Sequence, residues 1–322
     1  MVACVKWFLS TLSGSFASRV SKQKGEYEKK PYNPVLGERF FCTWDSARVG
    51  QTRLACEQVS HHPPISAFYI ENAAAGVVCN GHNGQKSRFS ATTIYVDQVG
   101  HAIVHLLKRH NETYLFTLPS LSVNGLWYGS PTPELQGTSY IQSSSGYLAT
   151  IDYSTRGWLS GELHHFKAVI TNGDPDRQIV IEGQWTGAST IIRPGDGKIP
   201  QPFYDVTAIP VVPKIVKPYT EQHELESRRL WRKVTDALLA RDYSTASAEK
   251  SKIENQQRAE RKGRAEKGER WKPTFFAWVE PDPVYTMLDE QIERKTKDKH
   301  ADLGKASWVA VEFLDRHETR SN

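Results

Sequence analysis

Between Glu38 and about Arg193 the chain alternates short apolar runs with turn-forming residues. RFFCTW, TRLACEQV, ISAFYI, GVVC, SRFSATTIYV, HAIVHL, TYLFTL, GYLATIDY, FKAVI and QIVIEGQW are separated by stretches such as SARVGQ, NGHNG, PTPE and TNGDPD. Roughly ten strands without helices between them predict antiparallel pairing in a barrel or sandwich. Closure is favoured, because so long a meander otherwise leaves edges to protect. Ahead of the strands, Val2, Val5, Leu9, Leu12 and Phe16 recur at spacings of three or four, which predicts a helix with one buried face. Behind them, Arg193 to Pro218 is irregular and punctuated by proline, and helix formers take over at Glu221.

In HELESRRLWRKVTDALLARD, the residues Leu230, Trp231, Val234 and Leu238 form an apolar stripe, so this helix is expected to pack on the strands. SAEKSKIENQQRAERKGRAEKGER has Ile253 as its single large apolar residue and predicts a helix that is polar nearly all round. Lys250, Glu254 and Arg258 step by four along it and share one face, either as a ladder of ion pairs or as a surface for a polar partner. From Trp271 onward the pattern predicts no definite element. The expected fold class is mainly β with α (α+β), with segments at 1–37, 38–215 and 216–322 forming one domain.

Composition narrows the function classes. The 322 residues are 39% hydrophobic and 11% aromatic, which suits a globular fold enclosing something apolar. The formal charge is +5, and Arg and Lys crowd the region from Arg228 to Lys272. Such a region suits phosphate or a solvated face equally well. Cys4, Cys42, Cys56 and Cys79 have neither zinc spacing nor the density of a disulfide framework, so a reducing, cytoplasmic setting is expected. No run approaches the ~20 apolar residues of a membrane span. The opening MVACVKWFLSTLSGSFASR is read as a helix rather than a signal peptide, since Lys6 interrupts its apolar part.

Two stretches carry candidate chemistry. In EKKPYNPVLGE, Pro31 and Pro34 hold Lys30 and Asn33 extended, which could fix an ammonium and a carboxamide in relation to an anion. In EQVSHHPPISAFY, His61 and His62 precede Pro63 and Pro64 within strand-forming sequence. Neighbouring residues of a strand point to opposite faces, so a common target for both rings requires a bend. A metal site, an anion grip and an ordinary turn all remain open. The metal reading would recruit His164 and His165 of GELHHF, but neither doublet has the spacing that places two rings on one side. There is no GxSxG elbow and no glycine-rich phosphate loop. The basic stretch Arg258 to Arg270 has no aromatic until Trp271, which argues against nucleic acid.

EQVSHHPP resembles the signature of the oxysterol-binding-protein-related lipid-transfer family. VKWFLSTL, KKPYNPVLGE, SYIQSSSGYL, YDVTAIP and EQHELESRRLW resemble further segments of that family in the same order, over about Val2 to Phe276. The likeness is greatest to short fungal members that consist of the lipid-binding domain alone. The resemblance implies an incomplete antiparallel β-barrel around a lipid tunnel, followed by helices. It also implies that Lys30, Asn33, His61, His62, Lys250, Glu254 and Arg258 hold the headgroup of phosphatidylinositol 4-phosphate. Asn83 and Gln98 match residues that meet a sterol hydroxyl, and Phe16 stands where a tyrosine is expected. Family members begin with a lid upstream of the first helix, whereas Met1 stands almost at its start and no lid sequence is found.

What the resemblance implies is a non-enzymatic exchanger of sterol and phosphatidylinositol 4-phosphate, without catalytic residues, metal or cofactor. It would be monomeric, independent of nucleic acid, and in transient contact with membranes such as those of the endoplasmic reticulum or Golgi. Alternatives are phosphatidylserine as the second cargo, a lipid sensor that moves nothing and, more remotely, a metal-dependent hydrolase.

Overall fold

The computed structural model describes residues 1–17, 32–90, 92–125, 131–154, 162–298, 302 and 304–313. In chain order, helix α1 (Val2–Leu12), continued by a π turn (Ser13–Ala17), precedes strands β1 (Arg39–Trp44), β2 (Thr52–His61), β3 (Pro64–Asn72), β4 (Val77–Ser90) and β5 (Thr93–Leu106). Next come β6 (Glu112–Thr117), β7 (Ser120–Asn124), β8 (Thr132–Ser143), β9 (Leu148–Ser154), β10 (His165–Thr171), β11 (Ile179–Gln184), β12 (Ala188–Ile192) and β13 (Gln201–Asp205). Helices α2 (Ser227–Leu230), α3 (Arg232–Leu239) and α4 (Tyr243–Glu266) follow, then β14 (Phe276–Val279), α5 (Pro283–Thr296) and β15 (Ser307–Ala310).

The expected class, mainly β with α, is the class observed. The first thirteen strands hydrogen-bond in the order β1-β2-β3-β4-β5-β6-β8-β9-β10-β11-β12-β13, with β7 pairing to β5 and β8. The order is open, with β1 and β13 at its ends. Each end is protected in its own way. Thr43 of β1 exchanges both backbone hydrogen bonds with Ile215, at 2.9 and 2.8 Å, and the Arg39 N–H donates to the Leu225 carbonyl at 3.0 Å. On β13, Pro202 removes a donor that a further strand would need.

The chain forms two compact units. One comprises 1–29, 83–212 and 280–307; the other comprises 30–82, 213–279 and 308–322. In the first, α1 buries Val5, Leu9 and Leu12 of the face its spacing predicts, together with Phe8, while Val2 is half-buried. There α5 lays Tyr285, Leu288 and Ile292 against Ile103, Leu115, Tyr140 and Leu148. In the second, Val35, Trp231, Val234, Ala237 and Ala246 make a separate core.

Three local expectations are corrected. NGHNG, read as a turn, lies inside the fourteen-residue β4. Gly81 and Gly84 are not among the positive-φ glycines, and the Asn80 side chain accepts the Ala310 N–H at 3.0 Å instead of closing a turn. Similarly, Pro133 and Glu134 of PTPE belong to β8. The single helix expected over 223–242 is two, α2 and α3, separated at Trp231 with φ −91° and ψ 5°. Its apolar stripe packs on Val35 and α4 rather than on a strand face. The last fifty residues, which predicted nothing definite, contain α5 and the β14–β15 pair.

Candidate functional site

The loop from Tyr32 to Glu38 is positioned by a buried carboxylate. Glu38 accepts from the Val35 N–H (3.0 Å), the Trp231 indole N–H (3.1 Å) and the Ser227 hydroxyl (2.6 Å). The Tyr32 hydroxyl meets Thr235 Oγ1 at 2.6 Å, and its ring lies 5.1 Å from that of Trp231. YNPVLGE and ESRRLW, far apart in sequence, are thus one local structure. Gly37 has φ +80°, and a Cβ there would stand 2.6 Å from Cζ2 of Trp271. Gly37→Ala is therefore expected to lower stability by about 2 kcal/mol or more in denaturant titration, from left-handed strain plus overpacking.

The histidine doublet sits at the tip of the β2–β3 hairpin. β2 ends at His61, β3 begins at Pro64, and the His62–Pro63 peptide is cis. The bend that the prolines led us to expect brings the two ring centroids to 4.6 Å. The hairpin is tied to the loop through backbone: the Gly37 N–H donates to the Gln58 carbonyl (2.9 Å), and the Gln58 N–H to the Glu38 carbonyl (2.8 Å). His61 Nδ1 is buried without a hydrogen-bond partner among the described residues. Burial, then His62 and Arg261, push the His61 pKa below its ordinary 6.5, while a hydrogen bond to the Pro34 carbonyl opposes them. These surroundings thus favour the neutral ring.

The third wall is α4. Its N-terminus is capped by Asp242, which accepts from the Thr245 N–H at 3.0 Å. Among its residues only Ala246 is buried, as its polar sequence predicts. Residues three and four apart share a helix face, and Glu254, Gln257, Arg258, Arg261 and Arg264 line one cavity of about 340 Å³ together with Asn33, Val35, Leu36, His61 and His62. The walls carry three arginines against one glutamate.

Of the residues proposed for the headgroup, Asn33, His61, His62, Glu254 and Arg258 are brought together in this cavity. Lys250 shares their helical face but does not line it; it stands one turn before Glu254, with Nζ 4.0 Å from the carboxylate. Lys30 lies outside the described residues. Gln257, Arg261 and Arg264 were missed, because the face was followed in steps of four only as far as Arg258. Continuing it in steps of three reaches both arginines.

The residues proposed for sterol lie in the other unit. Phe16 is half-buried in the π turn, and Asn83 is half-buried on β4. Gln98, on the adjacent β5, is 2% exposed, and neither atom of its amide has a hydrogen-bond partner among the described residues. A buried amide left unpaired is costly, and a polar ligand group would relieve it. The second histidine doublet is engaged elsewhere: His164 Nδ1 lies 2.8 Å from Thr186 Oγ1, and His165 Nδ1 lies 2.9 Å from Ser154 Oγ.

The fold is that of the ORD domains of the Osh proteins. It superimposes on the Osh1 ORD domain, solved in complex with ergosterol, with a TM-score of 0.69 at 21% identity, covering 94% of this chain and 76% of that one. On the Osh3 ORD of Saccharomyces cerevisiae, solved in complex with PI(4)P, the TM-score is 0.61 at 20% identity, covering 91% and 73%. The chain belongs to the Oxysterol-binding protein family, whose profile matches residues 1–238 and 232–302. It is 43% identical over 297 residues to protein kes1 of Schizosaccharomyces pombe, covering 91% of this chain and 76% of the relative. No described helix is long and apolar enough to cross a membrane.

Proposed function

We propose that the chain is a lipid-transfer protein that exchanges sterol for phosphatidylinositol 4-phosphate between membranes. The observation that carries this reading is the convergence of Asn33, His61, His62 and Arg258, from three distant parts of the sequence, on one cavity. A phosphomonoester carries about −1.5 to −2 charge near neutral pH. Guanidinium and imidazolium donors form short charge-assisted hydrogen bonds to such a group. Family membership, and relatives of the same fold solved with ergosterol and with PI(4)P, support the two ligands. Two ligands that exclude each other would make transport directional wherever a phosphoinositide gradient exists, since each displaces the other by mass action. Donor vesicles with fluorescent sterol and acceptor vesicles with the phosphoinositide test it. Transfer in both directions is expected, whereas binding of both lipids without transfer would make the chain a sensor.

Protonation gives a second test. Burial, His62 and Arg261 make His61 hold its proton weakly, and a bound phosphate favours the charged ring. Binding therefore takes up a proton. Affinity falls as pH rises from the lowered free-site pKa to the raised bound-site pKa, by at most about tenfold per pH unit for one proton. Below about pH 6 the phosphate's own protonation opposes the gain. Calorimetry of a soluble headgroup in buffers of different ionisation enthalpy should show this uptake, and His61→Gln should reduce it. Equal uptake by that variant would remove His61 from the site.

Gln98 supplies a test on the sterol side. Gln98→Leu removes a buried amide that has no hydrogen-bond partner among the described residues, so the ligand-free chain should gain about 1 kcal/mol or more in stability. The same variant should bind sterol more weakly. Unchanged sterol affinity would show that the amide does not meet the ligand.

A further inference from the structure

The loop between β5 and β6 carries three consecutive basic residues, Lys108, Arg109 and His110, all of them exposed. Its second half is a turn in which the Glu112 N–H donates to the Arg109 carbonyl at 3.0 Å. The two central residues, His110 and Asn111, have φ of +53° and +54°. A turn with both central residues left-handed favours asparagine, aspartate or glycine, so Asn111 is expected there and His110 is not. Glycine would take the same conformation without steric cost. A merely solvated turn gains nothing from a histidine at this position.

The turn between β8 and β9 is fastened to this loop. Ser144 donates its N–H to the Thr113 carbonyl at 2.8 Å, and its hydroxyl accepts the Thr113 N–H at 3.0 Å. Between them lies a cavity of about 550 Å³ lined by Lys108, Arg109, His110, Glu112, Ser144 and Ser145. Glu112 is the one acidic residue of that lining, and its carboxylate is engaged already. The Ser145 hydroxyl donates to it at 2.6 Å, and Arg109 Nε lies 3.9 Å away. Another cation supports the β8–β9 turn, since Lys295 of α5 donates to the Gly146 carbonyl at 2.8 Å. All of these residues belong to one compact unit, whereas Asn33, His61, His62 and Arg258 belong to the other.

We propose that the cavity between the β5–β6 loop and the β8–β9 turn binds a phosphate-bearing anion, independently of the phosphoinositide reading of the other cavity. An ammonium, a guanidinium and an imidazole on consecutive residues supply donors that phosphate oxygens accept in charge-assisted hydrogen bonds. The guanidinium adds a planar fork that fits two oxygens of one phosphate. The volume falls within the range of small-ligand sites, ample for a diphosphate or a phosphorylated headgroup. Joining the two turns through Thr113 and Ser144 fixes the donors before the ligand arrives, which lowers the cost of ordering them on binding.

The test uses the full chain carrying His61→Ala and His62→Ala, which disables the other cavity, with inorganic pyrophosphate as the probe. Calorimetry should show binding that weakens as salt is added. Adding Lys108→Gln and Arg109→Gln should weaken it at least ~10-fold at an unchanged melting temperature, because both side chains are exposed. His110→Gly should also weaken it without lowering the melting temperature, since glycine accepts the left-handed turn. Glu112→Gln keeps an acceptor for Ser145 and removes the one negative charge of the lining, so it should tighten binding by roughly 3-fold. No binding, or equal binding after Lys108 and Arg109 are replaced, overturns the site. Unchanged or weaker binding in Glu112→Gln overturns it as well, because the carboxylate would then not face the anion. Phosphatidylcholine vesicles with and without phosphatidic acid identify the source of the ligand. Retention on phosphatidic acid that is lost with Lys108→Gln and Arg109→Gln supports the site with a lipid headgroup, and pyrophosphate binding without such retention supports it with a soluble phosphate.

Discussion

Replacing His61 and His62 together by alanine is expected to lower phosphoinositide extraction from vesicles by roughly 100- to 10,000-fold, at ~1.5–3 kcal/mol for each charge-assisted hydrogen bond lost. Sterol extraction should stay within a few-fold of the parent, because Phe16, Asn83 and Gln98 belong to the other compact unit. The fold should tolerate the change. His62 is exposed and His61 only half-buried, and the hairpin is held below its tip by the Gln58 backbone bonds to Gly37 and Glu38. The measurement is extraction of each lipid from vesicles containing one or the other, with melting temperature as the control for folding. Equal loss of both lipids at an unchanged melting temperature would mean that one contact set serves both ligands, contrary to the division proposed.

Much of this site was legible in the sequence because its residues are unusual. Consecutive histidines followed by consecutive prolines within strand-forming sequence make a bend plausible, and the rings meet at the hairpin tip between β2 and β3. The polar character of α4 was equally plain, since Ile253 is the single large apolar residue of 247–270. What periodicity could not disclose is what Glu38 does. A lone glutamate after a glycine looks like surface, and its burial is decided by Trp231 and Ser227, nearly two hundred residues away. The NGHNG stretch failed for a related reason: asparagine and glycine permit a turn without requiring one, and the tertiary partner of Asn80 decided otherwise. The helical face alone reaches Arg264 in steps of three; what it could not disclose is that Trp271, packed against the bare face of Gly37, stands beside that guanidinium.

Glu38→Ala should be the most destabilising single change in the unit that carries the cavity, at about 3–5 kcal/mol. Alanine leaves the Val35 N–H and the Trp231 indole N–H without their acceptor, while the Ser227 hydroxyl keeps the Arg39 carbonyl at 3.3 Å. The two unpaired groups, on Val35 and Trp231, belong to one buried core, where an unpaired donor cannot turn to water. Glu38→Gln keeps a carbonyl oxygen that can still accept, and it should recover more than half of the loss. Function should follow stability through geometry. Asn33 and Leu36 line the cavity from this loop, so headgroup affinity should fall in Glu38→Ala even at a temperature where the variant remains folded. Hydrogen exchange gives the decisive readout, since the amides of Val35 and Gly37 should lose protection while those of β8 to β10 keep theirs. Uniform loss of protection would mean that Glu38 supports the whole chain rather than this loop. Unchanged protection at Val35 would remove the carboxylate from the account of how the loop is held.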